Sequence, residues 1–256
     1  MTKIIFFDID GTLVDMQTKQ ISGKTLSALH QLKAKGIKIC LATGRSPTEL
    51  PRFGSLDFDA CVTYNGSLCY SGRHVIFSNP IPAQDVQQVI RNAAVLNKPV
   101  AVATRDRLAA NGWEQDLAAY YAVAEQELTV APDFDAVAQQ EVYQLMLGCR
   151  AEEYAAVLKG VTGARITAWW DRAVDIIPAN GGKGMGIRKI LEYYRLDKAD
   201  AMAFGDGNND IEMLEAVGVG IAMQNASAQL KAIANDVCGS AAQDGVYHYC
   251  LSHGLI

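Results

Sequence analysis

Two carboxylates one residue apart, Asp8 and Asp10, close a short apolar run at residues 3–7, and Gly11-Thr12 follows at once. Side chains at i and i+2 of a strand share a face, so both acids can reach one point past its carboxyl end. Two acids held so close repel unless a cation stands between them, and carboxylate oxygens suit a hard ion such as Mg2+. A second apolar run, 37–42, ends in Thr43-Gly44-Arg45. That offers a hydroxyl and backbone N–H groups to an anion, or equally makes an ordinary turn with a helix cap. A third run, 201–204, enters Gly205-Asp206-Gly207-Asn208-Asn209-Asp210. Asp210 can be a plain acidic residue at a helix start, whereas Asp206, set before a glycine, is harder to explain structurally. Gly181-Gly182-Lys183-Gly184 is not a Walker A loop, because Ile177 stands where that pattern needs Gly and Gly184 where it needs Ser or Thr. A lysine that opens a helix opposes the helix dipole, so Lys183 is either a solvated surface cation or one placed to hold an anion.

These groups meet only if the runs that carry them are parallel strands of one sheet, ending at one edge, where open α/β sheets bind their ligands. The pattern agrees. An amphipathic helix is expected over 22–35, a strand over 37–42, a short helix after Pro47, a strand near 60–64, a hairpin or tight turn at Asn65-Gly66, and a small hairpin of 67–70 with 74–77. Alternating strands and helices imply right-handed crossovers and a doubly wound parallel sheet of the Rossmann-like α/β class. Pro80-Ile81-Pro82 reads as a linker. Beyond it come a helix (83–97), strands (99–104, 108–112), helical stretches (114–122 and from about 133), a strand (142–149), a helix (151–160) and strands 164–170 and 173–178. That is an α+β insertion with its own antiparallel sheet. The expected division is a core of residues 1–81 and 182–256 with an inserted domain at 82–181. A helix over 183–194, strands at 200–204, 218–222 and 236–238, and a helix from Asp210 to Val217 complete the core.

With 256 residues, half of them hydrophobic, the chain is long enough for a core plus an insertion. A net charge of −5 without Lys/Arg clusters argues against nucleic acid as a partner. Six cysteines in no zinc-like spacing, several within apolar strands, read as reduced core residues of a cytoplasmic protein. No signal peptide and no apolar run near the ~20 residues that cross a bilayer are visible, so no membrane association is expected. That sets aside a membrane-embedded aspartyl-phosphate pump.

Asp-x-Asp-Gly-Thr, then Thr-Gly-Arg after a strand, then a lone Lys in a Gly-rich turn, then Gly-Asp-Gly-x-Asn-Asp, in that order, resembles the haloacid dehalogenase superfamily of phosphatases. The wording of the second and fourth motifs is similar to its Cof-type branch (class IIB), which carries a large α/β cap of the C2 type between the second and third motifs. Only Asn180-Gly181-Gly182 departs, being glycine-richer than the family usually shows. The resemblance implies a Mg2+-dependent phosphoric monoester hydrolase. In it Asp8 is the nucleophile that forms an aspartyl-phosphate, and Asp10 is the general acid and then the base. Asp8 and Asp206 hold Mg2+ by side chains and Asp10 by its carbonyl, while Lys183 screens Asp8 and binds a phosphoryl oxygen. Thr43 and the N–H groups around Ile9 and Gly44 hold the other oxygens, Asn209 adds a donor, and Asp210 steadies Lys183 or the metal's water shell.

Specificity is expected from the insertion, at Trp169-Trp170-Asp171-Arg172. Adjacent tryptophans on a strand point to opposite faces, so one can pack inward while the other stacks on a sugar or aromatic ligand; both can also be packing residues. Arg172 and Asp175 can hydrogen-bond hydroxyls or simply be solvated. The expected substrate is a small phosphorylated metabolite, sugar phosphates first, and the protein a monomer or homodimer. Two alternatives stand beside hydrolysis: a sugar phosphomutase using the same intermediate, and a non-catalytic metabolite-binding protein on the same fold.

Overall fold

The computed structural model describes residues 2–256. The chain opens with β1 (Ile4–Phe7), α1 (Gly23–Ala34), β2 (Lys38–Ala42), β3 (Ala60–Thr63), β4 (Leu68–Ser71) and β5 (His74–Ser78). An insertion follows, with α2 (Ala83–Val95), β6 (Ala101–Ala103), β7 (Leu108–Ala110), α3 (Gln115–Val123), α4 (Phe134–Val137), β8 (Gln144–Gly148), α5 (Tyr154–Val157), β9 (Ala164–Thr167) and β10 (Ala173–Pro178). The chain returns through α6 (Lys183–Tyr194), β11 (Ala201–Gly205), α7 (Ile211–Glu215), β12 (Val219–Met223), α8 (Ala228–Ile233), β13 (Asp236–Cys238) and α9 (Gly245–Ser252). It divides into two compact units. One holds the residues through Thr43, Pro51–Phe77 and Gly182–Ile256; the other holds Gly44–Leu50 and Ser78–Gly181. Against the expected division, residues 78–81 and the short segment 44–50 go with the insertion.

The first unit is an eight-stranded sheet in the order β13-β12-β11-β1-β2-β3-β4-β5. The six strands from β13 to β3 are parallel, and β4 turns back antiparallel on β3. Both faces are covered, which is why β1 is an unbroken apolar run and not an alternating one. Ile4 and Phe6 on one face join Ile187 and Ile190 of α6 and Met213 and Leu214 of α7 in one apolar core. On the other face Phe7 stacks on Phe204 with ring centroids 5.4 Å apart, and Phe204 meets Tyr249 of α9 edge-on. There α9 packs on α1.

Chain order marks one edge of this sheet. From β1 the chain steps outward to β2 and β3, and from β11 it steps the other way to β12 and β13. The switch between those two directions lies between β1 and β11, where doubly wound sheets open a crevice beyond the strands' carboxyl ends. Asp8 immediately follows β1, and Asp206 immediately follows β11.

The second unit is an antiparallel sheet, β7-β6-β8-β10-β9. One face, with Leu145, Leu147, Val174 and Ile176, packs on Val86 and Val89 of α2 and Val157 of α5. The other face carries Gln144 and Asp175 and is met by α3. Two expectations are corrected here. The strand expected over 164–170 stops at Thr167, and the helix expected over 151–160 is a 3-10 turn, Ala151–Glu153, running into the four residues of α5. Past Val157 and Thr167 the residues are exposed or half-exposed, and Trp169 is taken up by stacking on Tyr120 and Trp170.

Candidate active site

Lys183 is the first residue of α6, and its ammonium is buried to 1 % exposure. It donates to Asp8 Oδ1 at 2.7 Å and to Asp210 Oδ1 at 2.6 Å. The lysine expected either to float in solvent or to meet an anion therefore meets two carboxylates, and they outweigh the unfavourable helix dipole. Asp210, fully buried, accepts on its other oxygen from the N–H groups of Asp206 (2.9 Å) and Gly207 (3.0 Å). A single carboxylate thus folds the acidic loop after β11 and fixes the lysine.

Asp206 accepts from Asn225 Nδ2 at 3.0 Å and from Thr12 Oγ1 at 3.4 Å, and Asn225 also donates to the Gly11 carbonyl at 3.0 Å. Those bonds lace the loop after β1 to the loop after β11. Gly11 is required at that seam: its φ is +87°, and a Cβ there would lie 2.2 Å from Asp206 Oδ2. Thr43, buried after β2, donates its N–H to Val62 and accepts at its carbonyl from Asn65. Asn209 donates to the Asn65 side chain at 3.1 Å. Ile9 is buried, its carbonyl accepting from Thr12, Leu13 and Val14, and neither its N–H nor that of Gly44 donates to another group among the described residues.

Charge in this cluster is unbalanced. One oxygen from each of Asp8, Asp206 and Asp210 lies within 4.8 Å of the others, with a single ammonium among them. Burial pushes Asp8 up to about 7, further raised by Asp210 and Asp10 and only partly offset by Lys183. Burial, with Asp8 and Asp210, pushes Asp206 up to about 8. Burial opposes the charge on Lys183, but Asp210 and Asp8 outweigh it and hold the ammonium above the ordinary lysine range. The donor set fits a small divalent cation, since only oxygens are offered and added positive charge relieves their repulsion. Asp210 is held most tightly, by Lys183 and two backbone N–H groups at 2.6–3.0 Å, whereas Asp206 accepts from Thr12 at 3.4 Å on one oxygen and from Asn225 on the other, and Lys183 meets Asp8 on Oδ1. Asp10 stands outside the carboxylate cluster, half-buried in a bridge to Val14.

In the inserted unit Trp169 and Trp170 lie past the end of β9, so the opposite-faces rule for strands does not hold for them. Their rings stack, 5.9 Å apart at 14°, and both are half-buried. Arg172 lies over the Trp170 ring at 4.1 Å and pairs with Asp116 at 3.4 Å. Asp175 has 0 % exposure and accepts from Tyr120 OH at 2.6 Å and Gln144 Nε2 at 3.1 Å, so it is no solvated surface acid. Tyr120, Gln144 and Asn225 carry no motif and were not singled out by sequence. Gln144 alone left a trace, as the one strongly polar residue in the apolar stretch 142–149.

All six cysteines are buried and unpaired, and burial raises the Cys40, Cys61, Cys69, Cys149, Cys238 and Cys250 thiols. Among the described residues no helix is long and apolar enough to cross a membrane.

The chain is similar to known proteins along its whole length. YkrA of Bacillus subtilis strain 168, which carries a provisional phosphatase name, is 32% identical over the whole of this chain and 99% of its own. The HMP-PP phosphatase of Yersinia pestis (strain Pestoides F) is 29% identical over the whole of this chain and 96% of its own. The solved structure of BT4131, described as a subclass IIB sugar phosphatase of the HAD superfamily, superposes with a TM-score of 0.90 at 29% identity and full coverage of both chains. The family model for haloacid dehalogenase-like hydrolases matches residues 5–250, so this chain belongs to the haloacid dehalogenase-like hydrolases, in an α/β fold with an inserted cap domain.

Proposed function

We propose that the protein is a Mg2+-dependent phosphatase of small phosphorylated metabolites, with sugar phosphates preferred, working through an aspartyl-phosphate on Asp8. The observation that carries this reading is the buried Asp8–Lys183–Asp210 chain beside Asp206 at the sheet's switch point. Phosphate monoesters are dianions that repel a carboxylate nucleophile, so a site that attacks them must concentrate positive charge first. Lys183 supplies one such charge. Bound between Asp8 and Asp206, with the Asp10 carbonyl, Mg2+ would supply the other and polarise a phosphoryl oxygen.

Asp8 then attacks phosphorus, and the bond to the leaving oxygen breaks. Asp10 gives its proton to that oxygen. Asp10, now ionised, takes a proton from the water that cleaves the phosphoaspartate, which releases inorganic phosphate and restores both acids. The Ile9 and Gly44 N–H groups and the Thr43 hydroxyl face the phosphoryl oxygens, with Asn209 held nearby by Asn65. Asp210 serves by fixing Lys183 and does not ligate the metal.

Phosphate release from sugar, nucleotide and cofactor monoesters, with Mg2+ and with EDTA, tests the reading. Mg2+-dependent release is expected, with sugar phosphates fastest. An isomeric sugar phosphate without free phosphate would mark a mutase, and no turnover by Mg2+-binding protein would mark a binding protein.

A further inference from the structure

The loop that follows β12, residues 224–227, reaches the acidic loop that follows β11, and both belong to the first unit. It is anchored at both ends. Met223 and Ala226 are buried, the Ala226 N–H donates to the Met223 carbonyl at 2.9 Å, and the Ser227 hydroxyl caps α8 by accepting from the Leu230 N–H at 3.1 Å. From that footing three groups reach across. The Ser227 N–H donates to the Asp206 carbonyl at 3.1 Å, and the Ser227 hydroxyl donates to Asn208 Oδ1 at 2.6 Å. The Asn225 amide donates to Asp206 Oδ2 and to the Gly11 carbonyl, each at 3.0 Å. An ionised carboxylate and a carbonyl are pure acceptors, so only the NH2 end of that amide can face them.

Asp206 Oδ2 is thereby fixed from two sides. Asn225 holds it at 3.0 Å, and it lies so near the Gly11 backbone that a Cβ there would come within 2.2 Å of it. The other oxygen, Oδ1, has the 3.4 Å contact with the Thr12 hydroxyl, which is long for an O–H donor. We propose that Asn225 is a positioning residue for the divalent cation: by holding Asp206 Oδ2 against the Gly11 backbone it stops the carboxylate from turning and leaves Oδ1 for the ion. This rests on the reading above that Asp8 and Asp206 hold the metal. The residue type suits the task. An amide orients a carboxylate without adding charge, so the negative charge that Lys183 leaves unbalanced in this cluster stays available to the ion. A lysine or arginine in its place would compete with the ion for Asp206. Mg2+ demands near-ideal octahedral geometry with oxygens at about 2.0–2.1 Å, whereas Ca2+ accepts irregular sets at about 2.3–2.6 Å. A carboxylate freed to turn therefore costs Mg2+ more than it costs Ca2+.

The test titrates the whole protein with Mg2+ alone and with Ca2+ alone by calorimetry, for wild type, Asn225→Ala and Asn225→Leu, and records each metal-free melting temperature. Asn225 is exposed, so neither substitution opens the core, and leucine keeps a side chain of similar size without the donors. Loss of a group that orients a metal ligand typically weakens metal binding by about 10- to 100-fold. Expected in both variants is a Mg2+ dissociation constant raised on the order of tenfold or more, with the Ca2+ constant raised by about threefold at most. Mg2+ constants within about twofold of wild type, whatever the melting temperature does, would overturn the proposal and leave Asn225 a tie between two loops. Equal weakening of both ions would overturn it too, because a group that sets geometry for a strict octahedron must tell them apart. A wild-type protein that binds neither ion would sink the metal reading itself, an outcome distinct from a metal-binding protein indifferent to Asn225.

Discussion

Two buried carboxylates, Asp210 in the first unit and Asp175 in the insertion, occupy opposite ends of a physical scale. Asp210 meets a buried ammonium and two backbone N–H groups, in a cluster with more negative charge than its one cation cancels. Asp175 accepts from a phenol and from an amide on one oxygen. Excess charge suits the first cluster to a divalent cation, and on the proposed reading it places a phosphoryl group beside Asp8. In the second, the Tyr120 hydroxyl and the Gln144 amide meet at one carboxylate oxygen and fix directions in space. Substitutions should therefore separate the two: large chemical losses in the first, graded positional losses in the second.

The largest loss is expected at the nucleophile. Asp8→Asn keeps shape and hydrogen-bonding capacity but cannot attack phosphorus, so kcat should fall by roughly 10^3-fold or more while the protein stays folded. Phosphate release under single-turnover conditions measures it, and residual activity within about tenfold of wild type would remove Asp8 from that role.

Lys183→Met comes next and should damage both activity and stability. Removing one partner of a buried ion pair typically costs about 3–5 kcal/mol, and here two acids lose their counter-charge at once. Denaturant unfolding should show a loss toward the low end of that range, because Asp8 can take up a proton in compensation, its carboxyl already being raised to about 7. An unchanged midpoint would mean the ammonium is not the keystone of the acid cluster.

A third expectation concerns pH. Asp8 and Asp206 have folded-state values near 7 and 8, above the ordinary value of 3.8, so the fold favours their protonated forms. The stability they contribute is fully present below 3.8 and is lost as pH climbs through 7 and 8. Metal-free protein should therefore melt at lower temperature at pH 8 than at pH 5. Mg2+ binds the ionised forms, so it should raise the melting temperature more at pH 8 than at pH 5. Equal Mg2+ effects at the two pH values would break the link between the ion and these carboxylates.

How much of this was legible in the sequence follows the same contrast. Asp8, Thr43, Lys183 and Asp206 stand out because the proposed phosphoryl chemistry would dictate their residue types, and parallel strands dictate where such residues lie along the chain. The fold class was equally readable, since β1, β2 and β11 are apolar runs and α6 falls at its expected residues. Helix α9 was not, because Val246, Tyr247, Tyr249 and Cys250 favour helix only weakly and its packing on α1 decides the matter. Nor were Tyr120, Gln144 and Asn225, whose partners are 55, 100 and 214 residues distant in the chain. Such contacts leave no local period or spacing to read. The turn at Trp169 was misplaced for a related reason: strand alternation was extended across aromatic residues whose place is set by stacking with Tyr120 and Arg172.

The smallest effect is expected at that turn. Trp170 is half-buried between the Trp169 ring and the Arg172 guanidinium, so Trp170→Ala should cost about 1 kcal/mol of stability or less from the lost cation–π contact. If the exposed part of the ring meets the leaving group, KM for the preferred sugar phosphate should rise more than about twofold. Vanadate inhibition and turnover of p-nitrophenyl phosphate should stay at wild-type levels, because neither depends on a sugar. A uniform change across all three would deny Trp170 a role in telling leaving groups apart, and a change below twofold everywhere would leave it a packing residue.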